Sequence, residues 1–187
     1  MMRLGRGGLL AGLLVGAVWA ADENSRVVAL SSRGVVRSGA DTLIAGFVVD
    51  GSAPKDVLIR GVGPTLAQAG VGGALNEVKL QVFNGAGTQI ATNENWSSSL
   101  SEAFKLVGAS PLAEGSRDTA LRLTLAPGVY TAHVSAANSA RGVALAEVYE
   151  MDGASRLMAL STRARVEGGE GILISGLVVT EGSRRVL

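Results

Sequence analysis

The stretch DTALRLTLAPGVYTAHVS (residues 118–135) decides the fold class, because apolar and polar side chains alternate on both sides of an Ala-Pro-Gly turn. Leucine occupies every second position of 121–125, and apolar residues occupy every second position of 130–134. Side chains two residues apart lie on the same face of an extended chain. The pattern therefore predicts two half-buried antiparallel strands joined by a tight turn.

The same period of two recurs along the chain. Residues 77–83 alternate in the same way, whereas TLIAGFVV (42–49) is apolar on both faces, as expected of a central strand. Residues 56–60 and 142–149 are further strand candidates, and Asn84-Gly85-Ala86-Gly87 has the composition of a hairpin turn. The predicted fold class is all-β.

Two segments, 64–69 and 99–106, are expected to form short helices, the second capped by a nearby serine hydroxyl. Seven or eight short strands with these helices in about 130 residues point to an antiparallel β-sandwich, jelly-roll-like.

An internal repeat sets the domain organisation. RVVALSSRGVVRSGADTLIAGFVVDGS (26–52) matches RLMALSTRARVEGGEGILISGLVVTEG (156–182) at 12 of 27 positions without a gap, at an offset of 130 residues. Arginine, serine and glycine stay in register, which two unrelated apolar stretches would not show. The period is that of a domain, since solenoid repeats span about 20–50 residues.

The repeat predicts three parts of the chain: residues 1–20, a sandwich unit at 21–154, and at 155–187 the truncated start of a second copy. The sequence leaves open whether 155–187 begins a separate domain or adds strands to the first.

Residues 1–20 have the features of a secretory signal peptide. Arg3 and Arg6 precede an apolar run at 7–19, and Val18-Trp19-Ala20 offers small residues at the positions required for cleavage. The uncharged run is shorter than the roughly 20 residues of a spanning helix. The expected location is therefore outside the cell or on its surface, and the absence of cysteine excludes a lipid anchor at this site.

Charge and cysteine content narrow the function classes. The chain has 17 Lys+Arg and 16 Asp+Glu, so loss of Arg3 and Arg6 leaves 15 against 16. A near-neutral chain predicts no binding to nucleic acid and, after signal cleavage, none to membranes. With no cysteine, stability must come from burial and not from disulfides.

A family resemblance rests on two stretches, VKLQVFNGAGTQIATNENW (78–96) and DTALRLTLAPGVYTAHVSAANSARGVALAEVYEMD (118–152). Their strand-turn-strand pattern, with the turn Leu125-Ala126-Pro127-Gly128-Val129-Tyr130, resembles the bacterial pre-peptidase C-terminal domain. The whole unit is also similar to tandem β-sandwich repeats of large exported bacterial proteins. The resemblance implies an ancillary secreted module without catalysis of its own.

The loop Asn93-Glu94-Asn95-Trp96 is the main candidate site. Asn93, Glu94 and Asn95, with Asp118 and more distantly Glu114, could supply oxygen ligands to Ca²⁺. Trp96 is the candidate ligand-binding residue, whether for a glycan or for a surface protein. The competing interpretation is a polar turn, with Trp96 covering the edge of the sandwich.

Other motifs lack the context that their chemistry needs. Gly61-Val62-Gly63-Pro64 imitates a phosphate-binding loop, and Ser52 with Lys55 imitates a Ser-x-x-Lys pair, but both are better explained as connections between strands. His133, the only histidine, is expected on a polar strand face. Arg33 and Arg163 recur at equal positions and are expected to form a repeated salt bridge or carbonyl clamp.

These observations favour a non-catalytic exported repeat module that acts as a spacer, an adhesive or an enzyme-appended domain. No catalytic residue and no cofactor other than Ca²⁺ is expected. A carbohydrate-binding module of a secreted enzyme is the alternative. The oligomeric state is left open.

Overall fold

The structure, a computed structural model, describes residues 26–151, 155–168 and 171–180. The signal peptide predicted at 1–20 lies outside these residues. No helix in the described ranges is long and apolar enough to cross a membrane.

Ten strands and two short α-helices make up the described chain. In chain order they are β1 (Val27–Val36), β2 (Leu43–Asp50), β3 (Lys55–Val62), α1 (Pro64–Gln68), β4 (Val78–Asn84), β5 (Gln89–Asn93), α2 (Ser101–Leu106), β6 (Thr119–Leu125), β7 (Gly128–Ala136), β8 (Gly142–Glu150), β9 (Arg156–Arg163) and β10 (Ile174–Val179). A single 3-10 turn, Ser98–Leu100, leads into α2. The predicted strands and both short helices are confirmed. The predicted serine cap is on the 3-10 turn, where the Ser97 hydroxyl accepts from the Ser99 N–H, and α2 itself has no side-chain cap.

The first eight strands form a rolled-up antiparallel ribbon. β1 pairs with β8, β2 with β7, β3 with β6 and β4 with β5. Rolling the ribbon brings β8 beside β3 and β7 beside β4. The resulting orders, β1-β8-β3-β6 and β5-β4-β7-β2, are those of a jelly roll. The predicted all-β sandwich is therefore confirmed.

The turn predicted between β4 and β5 closes this ribbon. The side-chain oxygen of Asn84 accepts hydrogen bonds from the backbone N–H groups of Ala86 and Thr88, at 3.1 and 3.0 Å. Gly87 has a φ of 76°, a left-handed conformation that glycine adopts without steric cost. This turn chemistry is what the sequence predicted.

The two strands of the second repeat copy occupy the outer edges of the same sandwich. β9 pairs with β2 and β10 pairs with β1, so each sheet has five strands. In the described part of the chain, β9 and β10 therefore lie against the first unit as edge strands.

The main core lies between the sheets, where each strand turns its apolar face inward. Phe47 of β2, Ile59 of β3, Leu80 of β4 and Val148 of β8 are at most 1 % exposed. Phe47 also stacks on Tyr130, with ring centroids 5.7 Å apart. Burial of these strand faces, proportional to the apolar area removed from water, is the main force holding the sheets together.

A second apolar cluster covers the outer face of one sheet. Phe104 of α2 packs with Leu112 over Leu58 and Val62 of β3, and Trp96 covers the cluster from the side. The outer face of β3 is therefore buried as well, which explains why its sequence is apolar on both faces. This covering segment carries the loop predicted as a functional site.

Candidate functional site

The predicted loop begins at the last residue of β5, and the side chains of Asn93 and Glu94 contact other strands, whereas Asn95 is exposed. Asn93 accepts a hydrogen bond from the backbone N–H of Ala120 through its side-chain oxygen, at 3.2 Å. Glu94 forms an ion pair with Lys79 of the neighbouring strand, with Nζ and Oε1 3.1 Å apart. Both contacts fasten the end of β5 to adjacent strands.

Trp96 is half-buried and connects the loop to the segment before β6. Its indole N–H donates to the backbone oxygen of Ala113 and to the Ser116 hydroxyl, both at 3.1 Å. Its ring packs against Phe104, with centroids 5.6 Å apart. This geometry is that of a residue that covers the core. It agrees with the competing interpretation of the sequence, in which Trp96 covers the edge of the sandwich.

Asp118 is fully buried and holds the start of α1. Its carboxylate accepts hydrogen bonds from the Gly63 N–H at 2.7 Å, the Thr65 N–H at 3.2 Å and the Ser116 hydroxyl at 2.7 Å. The Thr65 hydroxyl donates to it as well. Four donors thus converge on the carboxylate that was predicted to bind Ca²⁺, while Asn93 and Glu94 contact other partners.

We expect Asp118→Asn to lower the free energy of unfolding by about 2–3 kcal/mol, because the new amide turns a donor towards groups that are themselves donors. Urea titration of both proteins measures the loss. Glu114→Gln is the matched control, since Glu114 is exposed, and it should leave the midpoint unchanged.

The same two proteins also test whether the Asp118 carboxylate binds Ca²⁺. With four donors on the Asp118 carboxylate, millimolar Ca²⁺ should not shift the urea midpoint of the original chain. A stabilisation by Ca²⁺ that disappears in Asp118→Asn would instead show that this carboxylate binds the metal. In the described residues, no three His, Cys, Asp or Glu side chains are grouped closely enough to hold a metal ion.

A buried ion pair lies beneath the second apolar cluster. Arg60 of β3 and Glu147 of β8 are directly opposite each other and are 2 % and 6 % exposed. The Arg60 guanidinium donates twice to Oε2 of Glu147, at 2.8 and 2.5 Å, and once to the backbone oxygen of Ser110 at 2.6 Å. It also lies over the Phe104 ring, 4.8 Å from the centroid.

The second oxygen of Glu147 is occupied as well. The Tyr149 hydroxyl donates to Oε1 at 2.8 Å. Burial, followed by the charge of the Glu147 carboxylate, raises the pKa of Tyr149 well above its usual value. The sequence interpretation overlooked this cluster, although a signal existed: Arg60 interrupts the apolar run 57–62, and Glu147 interrupts the apolar run 142–149.

The apparent Ser-x-x-Lys pair is divided by the fold. Ser52 is exposed in the turn before β3, whereas Lys55 is fully buried. The Lys55 ammonium donates to the backbone oxygen of Ser155 at 2.5 Å and lies 3.0 Å from Oε1 of Glu150. Arg26 approaches the same carboxylate oxygen at 3.0 Å. Lys55 therefore lies in the interior, where its side chain joins Glu150 of the first unit to Ser155 at the start of the second copy.

His133 lies on the outer face of its sheet, as predicted. Its ring packs on Phe83, with centroids 4.5 Å apart, and its Nε2 lies 3.1 Å from the Thr131 hydroxyl. Partial burial, followed by the charge of Arg163, lowers the pKa of His133 below its usual value. Its contacts are those of a packed surface residue.

The imitation of a phosphate loop is a strand connection. Gly63 lies between β3 and the five-residue α1, and its N–H is already bound by Asp118. A Cβ at Gly63 would lie 2.7 Å from the backbone oxygen of Leu75, so only glycine fits this close approach.

The contact between the two repeat copies follows a two-fold symmetry. Residue n of the first copy corresponds to residue n + 130 of the second, and equivalent residues face equivalent partners at four positions of each contact. The pairs include Ser31 with Gly176 and Ser161 with Gly46, Arg33 with Ile174 and Arg163 with Ile44, and Val27 with Val179 and Leu157 with Val49. Both contacts also contain one β-bulge between these positions. The register differs next to the bulges, where Val178 faces Ala29 but its equivalent Val48 faces Met158.

The symmetry axis passes beside Ser32. This fully buried residue shares a hydrogen bond with its own equivalent, Thr162, with the two hydroxyl oxygens 2.6 Å apart. A residue contacts its own equivalent only next to a two-fold axis. We call the paired strands β1, β2, β9 and β10 the repeat interface.

The two recurring arginines lie on opposite outer faces of the repeat interface, Arg33 beside Ile174 and Arg163 beside Ile44. Neither forms an ion pair with another described residue. The sequence predicted a repeated salt bridge or carbonyl clamp, and neither contact is found for these two arginines among the described residues.

The described surface contains several open grooves, and two of them lie beside the second apolar cluster or the end of α2. One of about 520 Å³ lies between the end of α2 and the β1–β8 edge, and is lined by Leu106, Tyr149 and Val178 among others. A smaller one of about 190 Å³ lies beside Trp96 and Phe104. Both are lined mostly by apolar groups. Neither contains the exposed, parallel aromatic rings that sugars use as a platform.

Comparison of the chain with models of protein families and with curated proteins finds no match. The resemblance to the pre-peptidase C-terminal domain therefore stays a prediction.

Proposed function

We propose that this chain is a non-catalytic module of an exported protein, with a structural role as a spacer, an adhesive unit or a domain appended to an enzyme. The observation that carries the proposal is the symmetric repeat interface. Strands from two copies of one sequence pair with each other, with equivalent residues opposite equivalent partners at four positions of each contact. When a sequence is repeated, strands of one copy can pair with strands of the next, and this pairing can join the units of a larger protein.

The chemistry of the interior supports the same proposal. The buried charged groups Lys55, Arg60, Asp118, Glu147 and Glu150 each contact other protein groups at 2.5–3.0 Å. A catalytic group has to face a substrate, whereas these groups hold strands and loops to one another. Their arrangement favours a structural role of these groups over a catalytic one.

Export is part of the proposal and is supported by the sequence of residues 1–20. Expression of the full chain in a bacterium with a general secretion pathway should yield a periplasmic or secreted protein that begins at Ala21. N-terminal mass spectrometry tests this, and an uncleaved cytoplasmic product would contradict it.

A binding assay distinguishes the structural role from the carbohydrate-binding alternative. We expect purified residues 21–187 to show no saturable binding on a glycan array and no turnover of glycoside, ester or peptide substrates. Saturable glycan binding that is lost in Trp96→Ala but kept in Phe83→Ala would overturn the proposal and support the alternative.

A further inference from the structure

Exposed apolar side chains are concentrated on the second repeat copy. Seven of the ten large apolar residues found exposed in the described chain lie between 158 and 179, namely Met158, Val166, Ile172, Ile174, Leu177, Val178 and Val179. Scattered exposed apolar residues are ordinary, but five of these seven lie on the edge strands β9 and β10, four of them on β10, and such a concentration indicates a surface that another element covers.

The first copy shows what such residues do when they are covered. Leu177 is 52 % exposed, whereas its equivalent Phe47 is 1 % exposed. Val179 is 39 % exposed, and its equivalent Val49 is 1 % exposed. The sequence of β10 is therefore that of a core strand with its core side uncovered.

The free strand edges indicate which kind of element could cover this surface. In the first copy, β1 is paired on both sides, by β10 and β8, and β2 is paired on both sides, by β9 and β7. In the described part of the chain, β9 and β10 are each paired on one side only. A strand edge with unpaired N–H and C=O groups is a template for another strand.

We propose that β9 and β10 are the first two strands of a further repeat unit, whose strands equivalent to β8 and β7 pair with their free edges. Both sheets then run without interruption from one unit into the next. The proposal rests on the proposed role as a repeat module, and it names the partner of the exposed surface: the part of a repeat unit that corresponds to β3–β8.

A second intact copy of this chain does not fit the surface equally well. In such a copy, the edges of β8 and β7 that would be needed are already occupied by its own β1 and β2. The occupant must therefore present these edges free, which a segment corresponding to residues 51–151 does. Its β8-like strand would pair with β9, as β8 pairs with β1, and its β7-like strand would pair with the apolar β10, as β7 pairs with β2.

The two-fold symmetry also limits how many units can join. The interface is isologous, since each unit contributes its first two strands and receives the same two from its partner. Once two units are joined, the strand edges that each unit offers to the other are all paired. The repeat interface therefore links units in closed pairs with two continuous eight-stranded sheets, and longer arrays would consist of such pairs.

The test is a fusion in which residues 21–180 are followed directly by a second copy of residues 51–151. Thr180 is equivalent to Asp50, so the register of the repeat is kept. We expect a monomer by light scattering, in which hydrogen exchange of the β9 and β10 amides slows by at least about a hundredfold relative to the original chain.

One substitution, made both in the original chain and in the fusion, makes the test specific. Leu177→Asp should leave amide exchange of the original chain nearly unchanged, because this side chain is half-exposed there. In the fusion it should remove most of the new protection, since it places a carboxylate at the position of Phe47. An equal effect in both proteins would overturn the inference.

Two further outcomes would also overturn the inference. One is unchanged exchange of β9 and β10 in the fusion. The other is dimerisation of the original chain that protects these strands, which would make a second copy the occupant. The proposed non-catalytic role is tested separately, because glycan binding or turnover by either protein would refute that role without altering amide exchange.

Discussion

Glu147→Ala is expected to lower the free energy of unfolding by about 3–5 kcal/mol, with a fall in Tm on the order of 10 °C. The substitution leaves the Arg60 guanidinium 2 % exposed and without its carboxylate partner. An uncompensated buried charge is far more costly than the pair was favourable, because neither water nor another anion can reach it. The Tyr149 hydroxyl loses its acceptor at the same time.

Two control proteins separate this mechanism from a general loss of charge. Glu102→Ala removes a carboxylate whose ion pair with Lys105 is fully on the surface, so its Tm should not change measurably. Arg60→Met combined with Glu147→Met removes both charges and keeps the volume, and should recover most of the lost stability. Equal unfolding midpoints for Glu147→Ala and Glu102→Ala would show that the buried pair has no structural role.

The sheet architecture could be predicted from the sequence because strand patterns are local. Alternation within 118–135 places leucines on one face and polar residues on the other, whatever the strand pairs with. The turn at Asn84–Gly87 is equally local, since it needs only its own side chain and a glycine. Both features were therefore visible before any partner was known.

The candidate site could not be predicted in the same way, because its contacts join distant residues. Asp118 meets Gly63 and Thr65 across more than fifty positions of sequence. Grouping it with the Asn93–Trp96 loop was reasonable from composition, and the backbone N–H of Trp96 does donate to the Asp118 backbone oxygen at 2.9 Å. The direction of its carboxylate is set by the fold.

The repeat could be predicted from the sequence only in part. The match between 26–52 and 156–182 reveals that two copies exist, but it does not show whether they avoid or contact each other. Pairing between copies depends on which strand edges are free after the ribbon rolls up, and that is a property of the topology. The two-fold symmetry became visible only through the register of the paired strands.

Two double-cysteine proteins test the symmetric repeat interface most directly. Ser32 and Ser175 are opposite each other in one sheet, with hydroxyl oxygens 2.9 Å apart, and Ala45 and Thr162 are the equivalent pair in the other. Because the chain has no cysteine, any disulfide must join the introduced thiols. Cross-strand partners lie within the distance that a disulfide spans.

We expect both Ser32→Cys with Ser175→Cys and Ala45→Cys with Thr162→Cys to form the disulfide under mild oxidation, as seen by mass spectrometry of peptides. Each bond closes a loop of more than 100 residues and should stabilise the protein by about 2–4 kcal/mol. Ser31→Cys with Ser175→Cys is the control, since Ser31 points to the other face, and it should stay reduced. Failure of both symmetric pairs, or equal oxidation of the control, would contradict the symmetric pairing of the two copies.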